Sequence, residues 1–150
     1  MPCHREQRHL LFPAILLFEI VADVEKYPEF LPWCLEVRIR EKTEIRLVAD
    51  MEFGFSGLRE RFSSYVTLEP ASLDINVMYK EGPFRSLINN WKFVCIGENQ
   101  CTVNFFLEFE LKSKPLSKLM DILFHKAVQQ MVAAFVARAD ELYVLEKRLN

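Results

Sequence analysis

The residue types that usually carry chemistry are few and scattered in this chain. The histidines are His4, His9 and His125. Neither i+3 nor i+4 from His125 supplies a second ligand, so no metal site is expected. The cysteines are Cys3, Cys34, Cys95 and Cys101, with no CxxC and no metal-type spacing. Cys95 and Cys101 flank an expected hairpin turn, which leaves a disulfide open; free buried thiols are the favoured reading. No P-loop, GxGxxG, GxSxG or HExxH is present. On the strands set out below, Glu52, Glu60, Glu108 and Glu110 are read as facing solvent. Ser64 and Asn89 are read as the only inward polar side chains, and neither has an activating partner. The expectation is no catalytic residue and no enzyme.

The elements that must position these residues follow from periodicity. His4 to Leu10 suits an edge strand. Leu16, Leu17, Ile20 and Val21 repeat at helical spacing, so Pro13 to Val24 reads as a helix with proline in its first turn. Pro28 and Pro32 leave room for one short helical turn through Glu29, Phe30 and Leu31. From Cys34 the period becomes two: Leu35, Val37 and Ile39 alternate with charged residues. Further alternating runs cover Ile45 to Phe55, Arg59 to Leu68, Leu73 to Tyr79, Leu87 to Cys95 and Cys101 to Leu111. Turns are expected at Glu41–Glu44, Ser56-Gly57, Glu69–Ser72 and Gly97–Gln100, with a bent loop at Glu81–Arg85. From Leu116 to about Leu145 there is no proline or glycine. Leu116, Leu119, Leu123, Ala127, Met131, Phe135 and Leu142 form a stripe, so this is one amphipathic helix roughly 45 Å long. The fold class is therefore α+β: an antiparallel sheet of six to seven strands covered by a long C-terminal helix, in a single domain spanning residues 1–150.

Composition narrows the function. The 150 residues carry 19 basic and 21 acidic side chains, a net charge of −2, so no charge excess advertises nucleic acid. Arg38, Arg40, Arg46, Arg59 and Arg61 interleave with Glu36, Glu41, Glu44, Glu52 and Glu60, which reads as salt-bridged strands and no DNA partner. No continuous apolar run is long enough to span a membrane. There are 13 Phe, 4 Tyr and 2 Trp against 4 Gly, more aromatic bulk than a small close-packed core needs. Phe53, Phe55, Phe62, Trp91, Phe93, Phe105, Phe109 and Phe135 fall at positions expected to face one volume. The segment Tyr27-Pro28-Glu29-Phe30-Leu31-Pro32-Trp33 is too aromatic and proline-rich for a simple connection, and Gly82-Pro83-Phe84 is a second loop of that kind. Both read as lids over an apolar pocket, a pattern suited to a lipid or prenylated quinone.

The run from Phe18 to Cys34, FEIVADVEKYPEFLPWC, closely resembles the signature of the coenzyme Q-binding and RatA-type family within the START-like, polyketide cyclase/dehydrase superfamily. Gly54-Phe55 with Leu58-Arg59-Glu60-Arg61-Phe62, Glu81-Gly82-Pro83-Phe84, Asn90-Trp91-Lys92-Phe93 and Met131–Ala139 are similar to the family as well. The resemblance implies a helix-grip fold with an apolar cavity between sheet and helix. For mitochondrial members it implies ubiquinone binding in support of respiratory electron transport, as carrier or chaperone, with no other cofactor required. For some bacterial members it implies a toxin that blocks ribosome subunit association, which makes the ribosome an alternative partner. A cyclase or aromatase activity is the third alternative. No mitochondrial leader is visible, so a bacterial cytoplasmic protein is expected, extending to the periphery of the inner membrane. The expected ligand contacts are Leu31, Trp33, Phe53, Phe55, Phe62, Trp91, Phe93, Phe105, Leu119, Leu123, Met131 and Phe135. Trp33 and Trp91 would offer indole N–H donors to a quinone carbonyl. The lid would be Tyr27, Pro28, Phe30, Pro32, Gly82, Pro83 and Phe84. Phe12 to Leu17 is apolar where the family is usually polar, which predicts that the first helix touches a membrane or a second subunit.

Overall fold

The structure, a computed structural model, describes residues 3–55 and 57–149, without the side chains of Phe55, Leu58 and residues 146–149. The order is β1 (Cys3–Leu10), α1 (Ala14–Ala22), a 3-10 helix (Val24–Glu29), β2 (Cys34–Lys42), β3 (Arg46–Phe55), β4 (Leu58–Glu69), β5 (Asp74–Glu81), β6 (Phe84–Gly97), β7 (Gln100–Leu111) and α2 (Lys114–Leu149). The strands form one seven-stranded antiparallel sheet in the order β1-β7-β6-β5-β4-β3-β2. From β2 to β7 each strand pairs with its successor, and β1 closes the far edge on β7. The 36-residue α2 covers this sheet, a length of about 54 Å at 1.5 Å per residue. The chain adopts the α+β helix-grip arrangement.

Several local expectations change. Pro13 caps α1 instead of opening it: its φ of −61° and ψ of 137° are extended, and its carbonyl receives Leu16 N at 3.1 Å. The short helical turn comes earlier than Glu29 and runs through Pro28. A 3-10 turn tolerates this because it needs only i to i+3 bonds, such as Lys26 N to Asp23 O at 3.1 Å. In β2 a bulge between Cys34 and Glu36 shifts the register, so Cys34 is buried while Leu35 is left 45% exposed. The loop expected at Glu81–Arg85 shrinks to Gly82-Pro83, because β6 already begins at Phe84. The turn signal Ser56-Gly57 survives at Gly57, with φ +86°, while Ser56 lies outside the described residues.

The core falls into two clusters. The larger joins Leu17, Phe18, Ile20 and Val21 of α1 to Val128, Met131, Val132, Phe135 and Ala139 of α2 across the middle of the sheet. The smaller joins Phe84, Phe109 and Leu111 to Leu116, Met120 and Phe124 at the start of α2. Within Lys114–Leu145 an 18-residue window reaches a mean hydropathy of 1.2, apolar enough by length and composition to cross a membrane. Polar residues interrupt the stretch, so it contains no unbroken apolar run of that length. Many of its apolar side chains face the sheet and the space described next.

Candidate ligand cavity

Between sheet and α2 lies a cavity of about 210 Å³. Because strand side chains alternate, every second residue of β3, β4, β6 and β7 reaches it. The sheet side is built by Met51, Phe53, Phe62, Ser64, Val66, Val77, Leu87, Asn89, Trp91, Phe105, Leu107, Phe109 and Leu111. The α2 side is built by Leu116, Met120, Phe124, Ala127, Val128, Met131 and Phe135. Val24, Tyr27, Leu31 and Trp33 come from the 3-10 helix and the segment after it, and Pro83 and Phe84 from the second loop.

The wall is rigid and mostly aromatic. Phe62 meets Phe84 edge-on at 5.5 Å, Phe84 meets Phe109 at 5.6 Å, and Phe109 meets Phe124 at 5.1 Å. Trp91 packs against Phe105 at 4.7 Å and Phe135 at 5.2 Å. Such edge-on contacts hold rings in place without filling the volume between them. At about 24 cal/mol per Å³ a sealed void of 210 Å³ would cost about 5 kcal/mol, which is a ceiling for this space because it opens to solvent. A domain of this kind is stable by only about 5–15 kcal/mol, so the void is a large concession.

The polar groups on the wall are few, and most are committed. Trp91 Nε1 donates to Asn89 Oδ1 at 2.8 Å, and Asn89 Nδ2 donates to Phe106 O at 2.9 Å. The Tyr27 hydroxyl donates to Val21 O, tying the 3-10 helix to the end of α1. Burial, helped by Cys34 and Asp23, pushes the Tyr27 hydroxyl far above its ordinary range, so it stays protonated. Burial also pushes the Cys34 thiol up to about 12 and the Cys101 thiol up to about 11. Neither is a nucleophile near neutral pH. Two groups differ. Trp33 Nε1 is buried without a hydrogen-bond partner, which costs about 1–3 kcal/mol for such a donor. Among the described residues Glu60 is the only charged side chain on the wall.

The expected contacts sort as follows. Leu31, Trp33, Phe53, Phe62, Trp91, Phe105, Met131 and Phe135 stand on the wall, with Tyr27, Pro83 and Phe84 from the expected lids. Phe55's side chain lies outside the described residues. Phe93 points inward beyond the cavity, where Phe18 of α1 meets it edge-on at 6.2 Å. Leu119 and Leu123 sit one residue off the lining stripe, which runs Leu116, Met120, Phe124, Val128, and so turn about 100° away from it. Pro28, Phe30, Pro32 and Gly82 do not line the cavity. Phe30 instead clamps the segment onto α2: it packs edge-on against Phe135 at 5.3 Å and lies under Arg138 at 5.2 Å. Gly82, at φ +143°, presses on β4, where a Cβ would stand 2.7 Å from Phe62 Cβ.

Four chemical expectations are corrected. Trp91 has no free N–H for a ligand, since Asn89 holds it. Glu60 is half-buried and lines the cavity, not the outer face of the sheet. It shares parity with Phe62 and Ser64, and that shared even numbering was the signal available in the sequence. Glu52 does lie on the outer face, but it is only 7% exposed and is gripped by Arg59 and Arg61. The Arg59 guanidinium, first by hydrogen bonding and then by charge, with Arg61 behind it, holds the Glu52 carboxyl below its ordinary value. The cysteines are all free, and Cys3 and Cys95 are exposed, not buried. Among the described residues no group of three or more His, Cys, Asp or Glu converges to hold a metal.

Comparison with known proteins agrees with this geometry. The profile of a family described as polyketide cyclase/dehydrase and lipid transport matches residues 12–136. A ribosome association toxin RatA of Pseudomonas aeruginosa is 36% identical over 145 residues, covering 95% of this chain and 99% of that protein. A mitochondrial coenzyme Q-binding protein of Xenopus laevis is 31% identical over 143 residues, covering 93% of this chain and 59% of that one. The crystal structure of a Streptomyces aromatase/cyclase superposes with a TM-score of 0.84 over 93% of both chains at 16% identity, a likeness of fold.

Proposed function

The chain belongs to the polyketide cyclase/dehydrase and lipid transport family, and from that membership and the cavity we propose that it binds a ubiquinone-type polyprenyl quinone, or a lipid with a similar head, as a carrier or chaperone. The observation that carries the reading is the apolar void of about 210 Å³. An engineered apolar cavity of about 150 Å³ takes up benzene, so this one accommodates a substituted ring and the start of a tail. Filling it recovers much of the energy that emptiness costs. A tail leaving the cavity runs along α2, where Leu119 and Leu123 flank the lining residues and Ile122 stands 77% exposed. Glu60 has no paired nucleophile or base on the wall, which favours holding a ligand over transforming it.

The relatives' names fit a binding or association role, and the coenzyme Q-binding relative supports the quinone in particular. We place the protein in the bacterial cytoplasm, meeting the inner membrane through Leu11 and Ile15, which α1 and its approach leave 67% and 50% exposed. The test is a titration with a short-tailed ubiquinone analogue, followed by tryptophan fluorescence, because both tryptophans stand on the wall. Saturable one-to-one quenching is expected. Quenching no greater than that of free tryptophan would sink the proposal.

A second reading rests on a separate surface. Tyr65, Met78 and Ile88 are 47%, 60% and 41% exposed. They face one another in register across β4, β5 and β6, forming an apolar row on the side of the sheet away from α2. With relatives named as ribosome association toxins, this row is the surface that would meet a ribosome. Co-sedimentation with ribosomes tests it: Met78→Asp should abolish pelleting while leaving quinone uptake intact. Absence of pelleting by the unaltered protein would remove this reading.

A further inference from the structure

The first half of α2 carries more apolar surface than the fold uses. None of its residues from 114 to 127 is buried, and burial begins only at Val128. Of the stretch long and apolar enough to cross a membrane, only 22% is buried, whereas the core helix of a soluble protein is mostly buried. The cavity wall changes in the same sense. Trp91, Phe105, Met131 and Phe135 are buried, while Phe53, Phe62, Leu116 and Met120 are half-buried. The cavity therefore opens beneath this half of the helix. His4 of β1 meets Phe124 and His125 at 6.4 and 6.3 Å, which turns one flank of α2 toward β1. At about 100° per residue, Leu119, Leu123 and Lys126 lie on the opposite flank, and Ile122, 77% exposed, lies at the back. Charge is one-sided as well. Residues 112–130 hold Lys112, Lys114, Lys118 and Lys126 against one acid, Asp121, in a chain of net charge −2. All four lysines are exposed, and among the described residues none makes an ion pair; the lysines that do are Lys26 and Lys80.

We propose that this half of α2 docks on an anionic lipid bilayer. Leu119, Ile122 and Leu123 enter the headgroup boundary, Lys118 and Lys126 meet the lipid phosphates, and an apolar ligand passes between bilayer and cavity without crossing water. Charge and shape select lipid as the occupant. A basic helix with an apolar side lies in the plane of a membrane interface. A second copy, docked about a two-fold axis, would set the same lysines against one another. The acidic remainder of the chain turns the opposite side away from an anionic surface. Each lysine near such a surface strengthens binding roughly fivefold, and salt screens that gain. The face is distinct from Leu11 and Ile15, whose neighbour Phe12 packs on Tyr143, roughly 30 Å further along α2 than Ile122. The proposal rests on the quinone reading only for the cargo; attachment to lipid stands or falls separately.

The experiment is co-flotation with vesicles of phosphatidylcholine, alone or mixed with phosphatidylglycerol, at low and at high salt. The unaltered protein is compared with Ile122→Asp, with the double variant Lys118→Ala and Lys126→Ala, and with Leu11→Asp, a melting temperature confirming that each is folded. Flotation with the anionic vesicles alone, released by high salt, is expected. Ile122→Asp should weaken it at least about tenfold, and the double lysine variant about 25-fold. Flotation lost in Leu11→Asp but kept in the other two moves the bilayer contact to α1 and overturns this inference. Flotation that ignores lipid charge overturns it too. So does a dimer in place of flotation that Ile122→Asp splits, which assigns the face to a second copy. A short-tailed quinone titrated without vesicles separates the two readings. Uptake with no flotation overturns the docking face alone, and flotation with no uptake overturns the quinone alone.

Discussion

Replacing Ala127 by leucine should strengthen the fold and weaken ligand binding at once. Ala127 is on α2 and faces the cavity. Leucine adds three carbons to a void of about 210 Å³, which has space for them without displacing a neighbour. At about 0.8 kcal/mol per buried methylene the ceiling is about 2.4 kcal/mol. Freezing the leucine rotamers subtracts about 0.5–1 kcal/mol, leaving a gain of about 1.5 kcal/mol. For a chain of this length that raises the melting temperature by about 3–6 °C. The same three carbons occupy part of the space a ring must enter, so affinity for a short-tailed quinone should fall at least tenfold, about 1.4 kcal/mol. Thermal unfolding by circular dichroism and tryptophan quenching measure the two effects on one sample. The opposite signs are the point of the test: an ordinary overpacked core would lose stability by about 1–3 kcal/mol. A lower melting temperature with unchanged quinone affinity would refute the claim that Ala127 borders an empty ligand space.

Gly82→Ala should destabilise by about 2–3 kcal/mol, since its Cβ would meet Phe62 Cβ at 2.7 Å and φ is +143°; a melt within 2 °C of the unaltered protein, on the order of 0.5 kcal/mol, would contradict this. Glu52 is held below its ordinary pKa of 4.5 by Arg59, so its contribution to stability is present above that value and lost as pH falls through the lowered one. Glu52→Gln should therefore lower stability at neutral pH and flatten the acid limb below pH 4.5, read by urea melts across pH. A maleimide at neutral pH should label Cys3 and Cys95 in the folded protein and reach Cys34 and Cys101, whose thiols burial raises to about 12 and about 11, only on unfolding. Mass spectrometry counts the adducts, and rapid labelling of Cys34 in the native state would show that the bulge does not bury it.

Much of the fold was legible in the sequence, because strand parity and helix spacing are strong periodic signals. The strands from Ile45 onward and the long helix fall within a few residues of their expected bounds. What one chain's pattern does not encode is phase between elements. The stripe Leu116, Leu119, Leu123 is as apolar as Leu116, Met120, Phe124, and only docking against Phe84, Phe109 and Leu111 selects the second. The bulge at Cys34 takes Leu35 off the inward face, while Val37 and Ile39 keep their expected parity, for the same reason: it is a property of the pair with β3, not of the strand alone. Phe93 obeys its parity but lies too far along β6, beneath α1. The polar character of the site was the least legible. Glu60 reads as an outward acid beside Glu52 and Glu108 although its own strand's numbering puts it inside, and the occupancy of Trp91 by Asn89 is a contact that strand alternation does not specify.

The central claim is that the cavity holds a quinone-type lipid. Its most direct test is to purify the protein from a quinone-replete bacterial host, extract it with organic solvent and identify what is released by mass and ultraviolet absorbance. The account predicts a polyprenyl quinone or its hydroquinone in an amount approaching one per chain, falling at least tenfold in Ala127→Leu, the loss expected for an occupied cavity. An extract free of quinone, from protein that also takes up none on titration, would contradict it.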